Sequence, residues 1–176
     1  DNTGITRFLP DGTVAPADSF FRQLPSVRSF LEIRDGVYLI GMHLAGLAMY
    51  DSHAHSLVTY KTGKEGPYKL YSDHVSNIVR DKKGRIWIGT FGGGFCRFDE
   101  ENGIVERLTA HDGLSDDNIN SMIPGDDGKL WISTGNGISS YDPESRIFNN
   151  YTGKSEIPVN EFSLKGGIKL PDNRIY

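Results

Sequence analysis

His53-Ala54-His55 is the one histidine pair at alternate spacing in this 176-residue chain, and on a strand that spacing puts two imidazoles on one face. A metal held there would need a third ligand and a carboxylate network. The pair falls instead among turn residues between two strand-like runs and reads as a solvated loop. Cys96 is the single cysteine, so no internal disulfide can form. Its place in a short apolar run makes it a small buried side chain. The glycines from Gly89 to Gly94 join two strands and open no helix, so they lack the N-terminal dipole that holds a phosphate. Asp81 and Asp127 sit beside turn glycines, where a short carboxylate bonds nearby backbone N–H groups. No nucleophile stands beside a base. The sequence shows no catalytic set and calls for no metal or cofactor.

What remains is recognition chemistry. His43, His74, Phe91, His111, Asp112, Asp116, Asn136 and Lys154 lie in segments 42–45, 71–74, 91–93, 110–117, 135–136 and 153–161, all turn-like. Aromatic faces stack on sugar rings, and imidazole, amide and carboxylate groups hydrogen-bond hydroxyls. Scattered along the chain, these residues make a site only if the fold gathers the loops. The elements that could gather them are therefore the next question.

Three stretches repeat. Asp35-Gly36-Val37-Tyr38-Leu39-Ile40-Gly41 recurs as Asp81-Lys82-Lys83-Gly84-Arg85-Ile86-Trp87-Ile88-Gly89-Thr90, and again as Asp127-Gly128-Lys129-Leu130-Trp131-Ile132-Ser133-Thr134. A fourth copy starts at Pro171-Asp172-Asn173-Arg174-Ile175-Tyr176 and stops where Trp would stand, so the chain is expected to be part of a longer one. Each copy resolves into four short runs rich in Ile, Val, Phe and Trp, bounded by Gly and Asp turns, which is a strand signature. In the second copy the runs are 75–80, 85–90, 95–98 and 104–108, with Asn102-Gly103 as a tight-hairpin signal. The glycine opening each third run stands at Gly4, Gly46, Gly94 and Gly137, in steps of 42, 48 and 43, and Phe8, Tyr50, Phe98 and Tyr141 follow four residues later. The turn glycines Gly36, Gly84 and Gly128 keep the same rhythm. Four strands per unit at this period predict an all-β fold of propeller blades.

The phasing divides the chain into a partial blade (1–23, third and fourth strands), blades at 24–73, 74–117 and 118–161, and a partial blade (162–176, first and second strands). An open arc of a larger ring, a closed four-blade ring and half of a two-copy ring all fit, and the arc is favoured. In such meanders the loops entering each first strand and those joining second to third strands emerge on one side, which gathers the eight polar and aromatic candidates on one face. Trp87, Trp131 and Leu39 occupy second strands, and Tyr50, Phe98 and Tyr141 third strands, where side chains wedge between blades.

Bulk properties agree. Glycine makes up 21 of 176 residues, above the usual ~7%, as many tight turns require. The net charge of −4 argues against a nucleic-acid surface, and no apolar run approaches the ~20 residues of a membrane helix. Asp1 is not a translation start, which leaves room for an upstream targeting segment.

Trp87-Ile88-Gly89-Thr90, Leu130-Trp131-Ile132-Ser133-Thr134 and the lead-in Asp112-Gly113-Leu114-Ser115-Asp116-Asp117-Asn118-Ile119 resemble the two-component regulator propeller repeat. The first copy departs from it with Leu39 for Trp and Gly41-Met42 for Gly-Thr, and the third with Ser133 for Gly. The resemblance implies a periplasmic sensor segment of a hybrid histidine kinase, recognising a carbohydrate-derived ligand. Its implied partners are an oligosaccharide, further blades and downstream domains of the parent, and a second subunit in a homodimer. An enzyme similar to the streptogramin lyases, and a purely structural or dimerising propeller, are the alternatives.

Overall fold

The computed structural model describes residue 13, residues 24–153 and, after them, 162–163, 166–172 and 174–175. Residues 24–153 form three four-stranded antiparallel sheets, each a meander in chain order. The first holds β1 (Val27–Arg34), β2 (Val37–Met42), β3 (Gly46–Asp51) and β4 (Ser56–Tyr60). The second holds β5 (Val75–Arg80), β6 (Ile86–Thr90), β7 (Phe95–Asp99) and β8 (Gly103–Leu108). The third holds β9 (Ile119–Pro124), β10 (Leu130–Thr134), β11 (Gly137–Asp142) and β12 (Ile147–Tyr151). Among the described residues, helix is confined to the single turns Gly66–Tyr68 and Ala110–Asp112. The all-β, bladed architecture expected from the repeat is the one observed. The expected 1–23 half-blade lies outside the described residues except for Thr13. At the other end Lys169 bridges Ile175 in the register that pairs Arg80 with Ile86 and Pro124 with Leu130.

The sheets meet through their first strands. β5 packs on β1 and β2, and β9 on β5 and β6, so β1, β5 and β9 are the inner strands of neighbouring blades. One apolar core fills the first seam, including Leu39, Leu47, Tyr60, Leu70, Val75, Ile88 and Phe98. A second core fills the next seam, with Trp87, Phe95, Leu114, Ile119, Leu130, Ile132 and Tyr141. Trp87 is 1% exposed, its ring 5.8 Å from Phe95 and 5.9 Å from Tyr141 between centroids. Burial of such aromatics is the main favourable term in holding blades together. Gly89 permits the close approach: a Cβ there would lie 2.7 Å from Ile119 Cγ2 on the next inner strand.

Hydrogen bonds fix how one inner strand sits on the next. Each of β1 and β5 has a register irregularity near its start, before Ser29 and Asn77 respectively. The Ile78 amide donates to Ser29 Oγ at 2.8 Å, and the Met122 amide donates to Asn77 Oδ1 at 2.9 Å. The irregular strand thus gives each seam a side-chain acceptor for a backbone donor of its neighbour.

The turns between first and second strands differ in a way the sequence alignment concealed. Asp81 accepts from the Lys83 and Arg85 amides, from Arg85 Nε at 2.6 Å and from Trp87 Nε1 at 3.0 Å. Its place in the third sheet is taken by Gly125, whose amide bonds Lys129 O as the Asp81 amide bonds Arg85 O. Asp127 lies two positions further along and accepts from the Lys129 amide. The opposite turns are closed by Asp51, Asp99 and Asp142, each accepting from backbone amides two and three residues on. Asn102-Gly103 accordingly belongs to an Asp99-capped turn in which Gly103 alone has positive φ, and not to a two-residue hairpin.

Candidate functional site

The loops entering first strands are stitched to those between second and third strands. Gly46 N donates to Asp73 O, Phe91 N to His74 O, Gly92 and Gly94 N to Asp117 O, and Gly135 N to Asn118 O. Thr90 and Thr134 close their loops by donating to Gly94 O and Gly137 O. Backbone bonding therefore builds a single loop face from segments far apart in sequence.

On that face the first seam brings three sequence candidates together. His43, from the β2–β3 loop, meets His74, at the entry to β5, edge to face with ring centroids 4.5 Å apart. His74 in turn lies 5.4 Å from Phe91, in the β6–β7 loop. Phe91 is 43% exposed, an accessible ring face beside two imidazoles. His74 Nε2 is buried with no hydrogen-bond partner among the described residues. Burial, with His43 and Arg28 adding positive charge nearby, lowers the His74 imidazole from its ordinary value, so it is neutral at pH 7.

The second seam gathers the other candidates and spends them differently. Asp112 accepts from Thr109 N and Oγ1, capping the helical turn Ala110–Asp112. His111 is exposed on the same turn. Asp116 accepts from the Asn118 amide, and Asn136 donates to Ser115 O. These side chains hold loop shape first, with Asn136 still exposed. Lys154 lies outside the described residues. His53 and His55 sit in the exposed turn between β3 and β4, on the opposite side, and no group of three His, Cys, Asp or Glu suited to a metal occurs among the described residues.

A cavity of about 500 Å3 lies elsewhere, on the flank of the third sheet, lined by Ile123, Trp131, Ile138, Phe162, Gly167 and Ile175. Trp131 is only half-buried there and stacks on Tyr151 at 5.9 Å. The flank corresponds to the one that, on the second sheet, carries Trp87 against its neighbour. The cavity is a seam between sheet and following segment, not part of the loop face.

Sequence reasoning passed over three groups near the candidate cluster. Tyr71 carries the Arg107 guanidinium 4.2 Å and the Lys69 ammonium 5.3 Å from its ring centre. Leu44 is 70% exposed at the tip of the β2–β3 loop. Leu70 and Leu114, each five residues before an inner strand, are buried plugs of the two seams. The plugs had a signal in that equal spacing, whereas Arg107 looked like any outward residue of an outer strand.

Residues 72–92 and 113–136 match the family described as two component regulator propeller. Those two segments are similar to two-component regulator propeller repeats. The two regulator repeats matched are those holding Trp87 and Trp131 and their lead-in loops. No curated protein matches the chain. Among solved structures it is similar to the extracellular domain of a hybrid two component system from B. thetaiotaomicron, with TM-score 0.63 and 22% identity over 99% of this chain and 29% of that one. It is also similar to virginiamycin B lyase from Staphylococcus aureus, with TM-score 0.61 and 16% identity over 99% of this chain and 62% of that one. A third is PorZ, a surface component of the type-IX secretion system of Porphyromonas gingivalis, with TM-score 0.53 and 22% identity over 78% of this chain and 19% of that one. The chain thus spans under a third of the first of these proteins and under two thirds of the second. At these identities the likeness is one of fold.

Proposed function

We propose that the chain is an extracytoplasmic sensor segment of a hybrid two-component system, in which the loop face recognises a carbohydrate-derived ligand. The observation that carries this reading is the His43, His74 and Phe91 cluster at the first seam: an exposed ring face beside imidazoles, built by repeats of a regulator family. Sugar rings stack on such faces, and neutral imidazole both donates and accepts toward hydroxyls. Binding across a seam between subunits or blades favours one arrangement through differential affinity, which is how a site without chemistry passes a signal. No helix among the described residues is long and apolar enough to cross a membrane, so output would need segments outside them. Calorimetric titration of the intact ectodomain with oligosaccharide pools tests the proposal, with Phe91→Ala expected to weaken any binding at least tenfold. Turnover of a substrate without saccharide binding would overturn it in favour of a lyase, a reading that stands on likeness of fold alone.

A further inference from the structure

We infer that the first seam of the loop face takes an acidic saccharide, whose carboxylate or sulfate group pairs with the Arg107 guanidinium beside Tyr71, with Lys69 against the same ring; this rests on the saccharide-sensor reading above. The chain is acidic overall, with a net charge of −4, and most of its described cations have carboxylate partners: Arg34, Lys82, Lys83, Arg85, Arg97, Lys129, Arg146, Lys169 and Arg174 all form ion pairs. The other six described cations have none. Arg80 bonds the carbonyls of Glu32 and Ile33 at the far end of β5. The others are Arg28 and, on the connection from the first to the second sheet and beside it, Lys61, Lys64, Lys69 and Arg107. That connection carries two acids, Glu65 and Asp73, and Asp73 is engaged by Thr62 N and Oγ1.

Like charges gathered without counter-charges repel one another, and a bound anion relieves that repulsion. The Tyr71 ring fixes two of them, and Arg107 Nε is further anchored on Gly93 O at 3.0 Å. Its outer guanidinium nitrogens remain for the two-oxygen edge of a carboxylate or sulfate. Preorganised in this way, the group loses little freedom on binding. Phe91, whose carbonyl accepts from Ser72 Oγ in the residue next to Tyr71, supplies the ring face for the sugar. The second seam has the opposite character, with Asp112, Asp116 and Asp117 at its entry loop.

A glycan array carrying neutral, uronate-containing and sulfated oligosaccharides, with single-stranded DNA spots as a control for charge alone, tests the inference with the labelled chain. Capture is expected on acidic spots, uronate or sulfate telling which group is read. Arg107→Gln and Lys69→Gln should each reduce it about tenfold or more while both variants keep the β-sheet circular dichroism of the unaltered chain. Capture of neutral glycans as strong as acidic ones, or acidic capture unaltered in both variants, overturns the inference and leaves the saccharide reading standing. Equal capture of DNA also overturns it, and capture of no glycan at all overturns both.

Discussion

Asp81→Ala removes one carboxylate that serves four donors, and its cost can be worked out from them. The side chain is 4% exposed. Trp87 Nε1, 3.0 Å away, belongs to a ring that is 1% exposed, so its N–H would be left buried and unsatisfied at about 1–3 kcal/mol. Arg85 keeps Glu144 at 2.6 Å and is 23% exposed, which limits its share to about 0–1 kcal/mol. The Lys83 and Arg85 amides lie in a turn that water reaches, and they add about 0.5 kcal/mol each at most. The expected loss is about 3 kcal/mol, read as a lower urea midpoint at unchanged slope with Trp fluorescence as the probe. Adding Trp87→Phe should recover about 1 kcal/mol of that loss in a double-mutant cycle. The acid limb gives an independent sign. Burial alone would raise the Asp81 carboxyl, but hydrogen bonds from Trp87 and Arg85 and the Arg85 charge hold it below its ordinary value. With the folded value depressed, its contribution is fully present above the unfolded value of about 3.9 and is lost as pH falls through the folded one. The difference between wild type and variant should therefore be flat from about pH 5 to 8 and shrink below about pH 4. A loss under about 1 kcal/mol, or a difference that grows on acidification, refutes the reasoning.

Other expectations concern single residues. Gly94 has φ +72, and a Cβ there would sit 2.2 Å from Leu108 O, so Gly94→Ala should cost at least about 2 kcal/mol in thermal or urea unfolding. Gly89→Ala drives a methyl into Ile119 Cγ2 and should cost about 1–3 kcal/mol, less in an Ile119→Ala background, which removes that atom. NMR titration of His74 should give a midpoint below the ordinary histidine value, because burial and then His43 and Arg28 disfavour its charge. Stability should accordingly rise with pH through the interval between that midpoint and about 6.5, and a midpoint at or above 6.5 contradicts the described environment. Burial pushes the Cys96 thiol up to about 12, so a thiol-specific reagent at pH 8 should label it only after denaturation.

What could be read from the residues alone was whatever the backbone and seam packing impose at every repeat. Gly46, Gly94 and Gly137 mark positive-φ starts of third strands, and Trp87 fills a seam, because any blade has those requirements. The loop face was also legible as a face, since a meander fixes which loops emerge together. Its internal grouping was not. His43, His74 and Phe91 converge because loops of different blades bond one another across a seam, a relation that periodicity does not encode. Trp87 and Trp131 look alike in the repeat, yet one is enclosed and the other half-buried, because the difference lies in what covers each flank. Asp81 and Asp127 likewise aligned on their neighbouring glycines, but the first stands three residues before Gly84 and the second one before Gly128. Only the geometry shows that Gly125 holds the structural place of Asp81.

The bonds between inner strands carry a further consequence. β5 gives its Ile78 amide to Ser29 on one side and offers Asn77 Oδ1 to Met122 on the other, so each unit is a donor at one flank and an acceptor at the next. Contacts of this kind are head-to-tail and depend only on nearest neighbours. A lesion at one seam should stay local in its energetic effect, and order can spread outward from any pair of sheets that forms first. Successive units can also be gained or lost by duplication without redesign of the remaining joints, because ring size is set by the rotation per unit and not by any single joint.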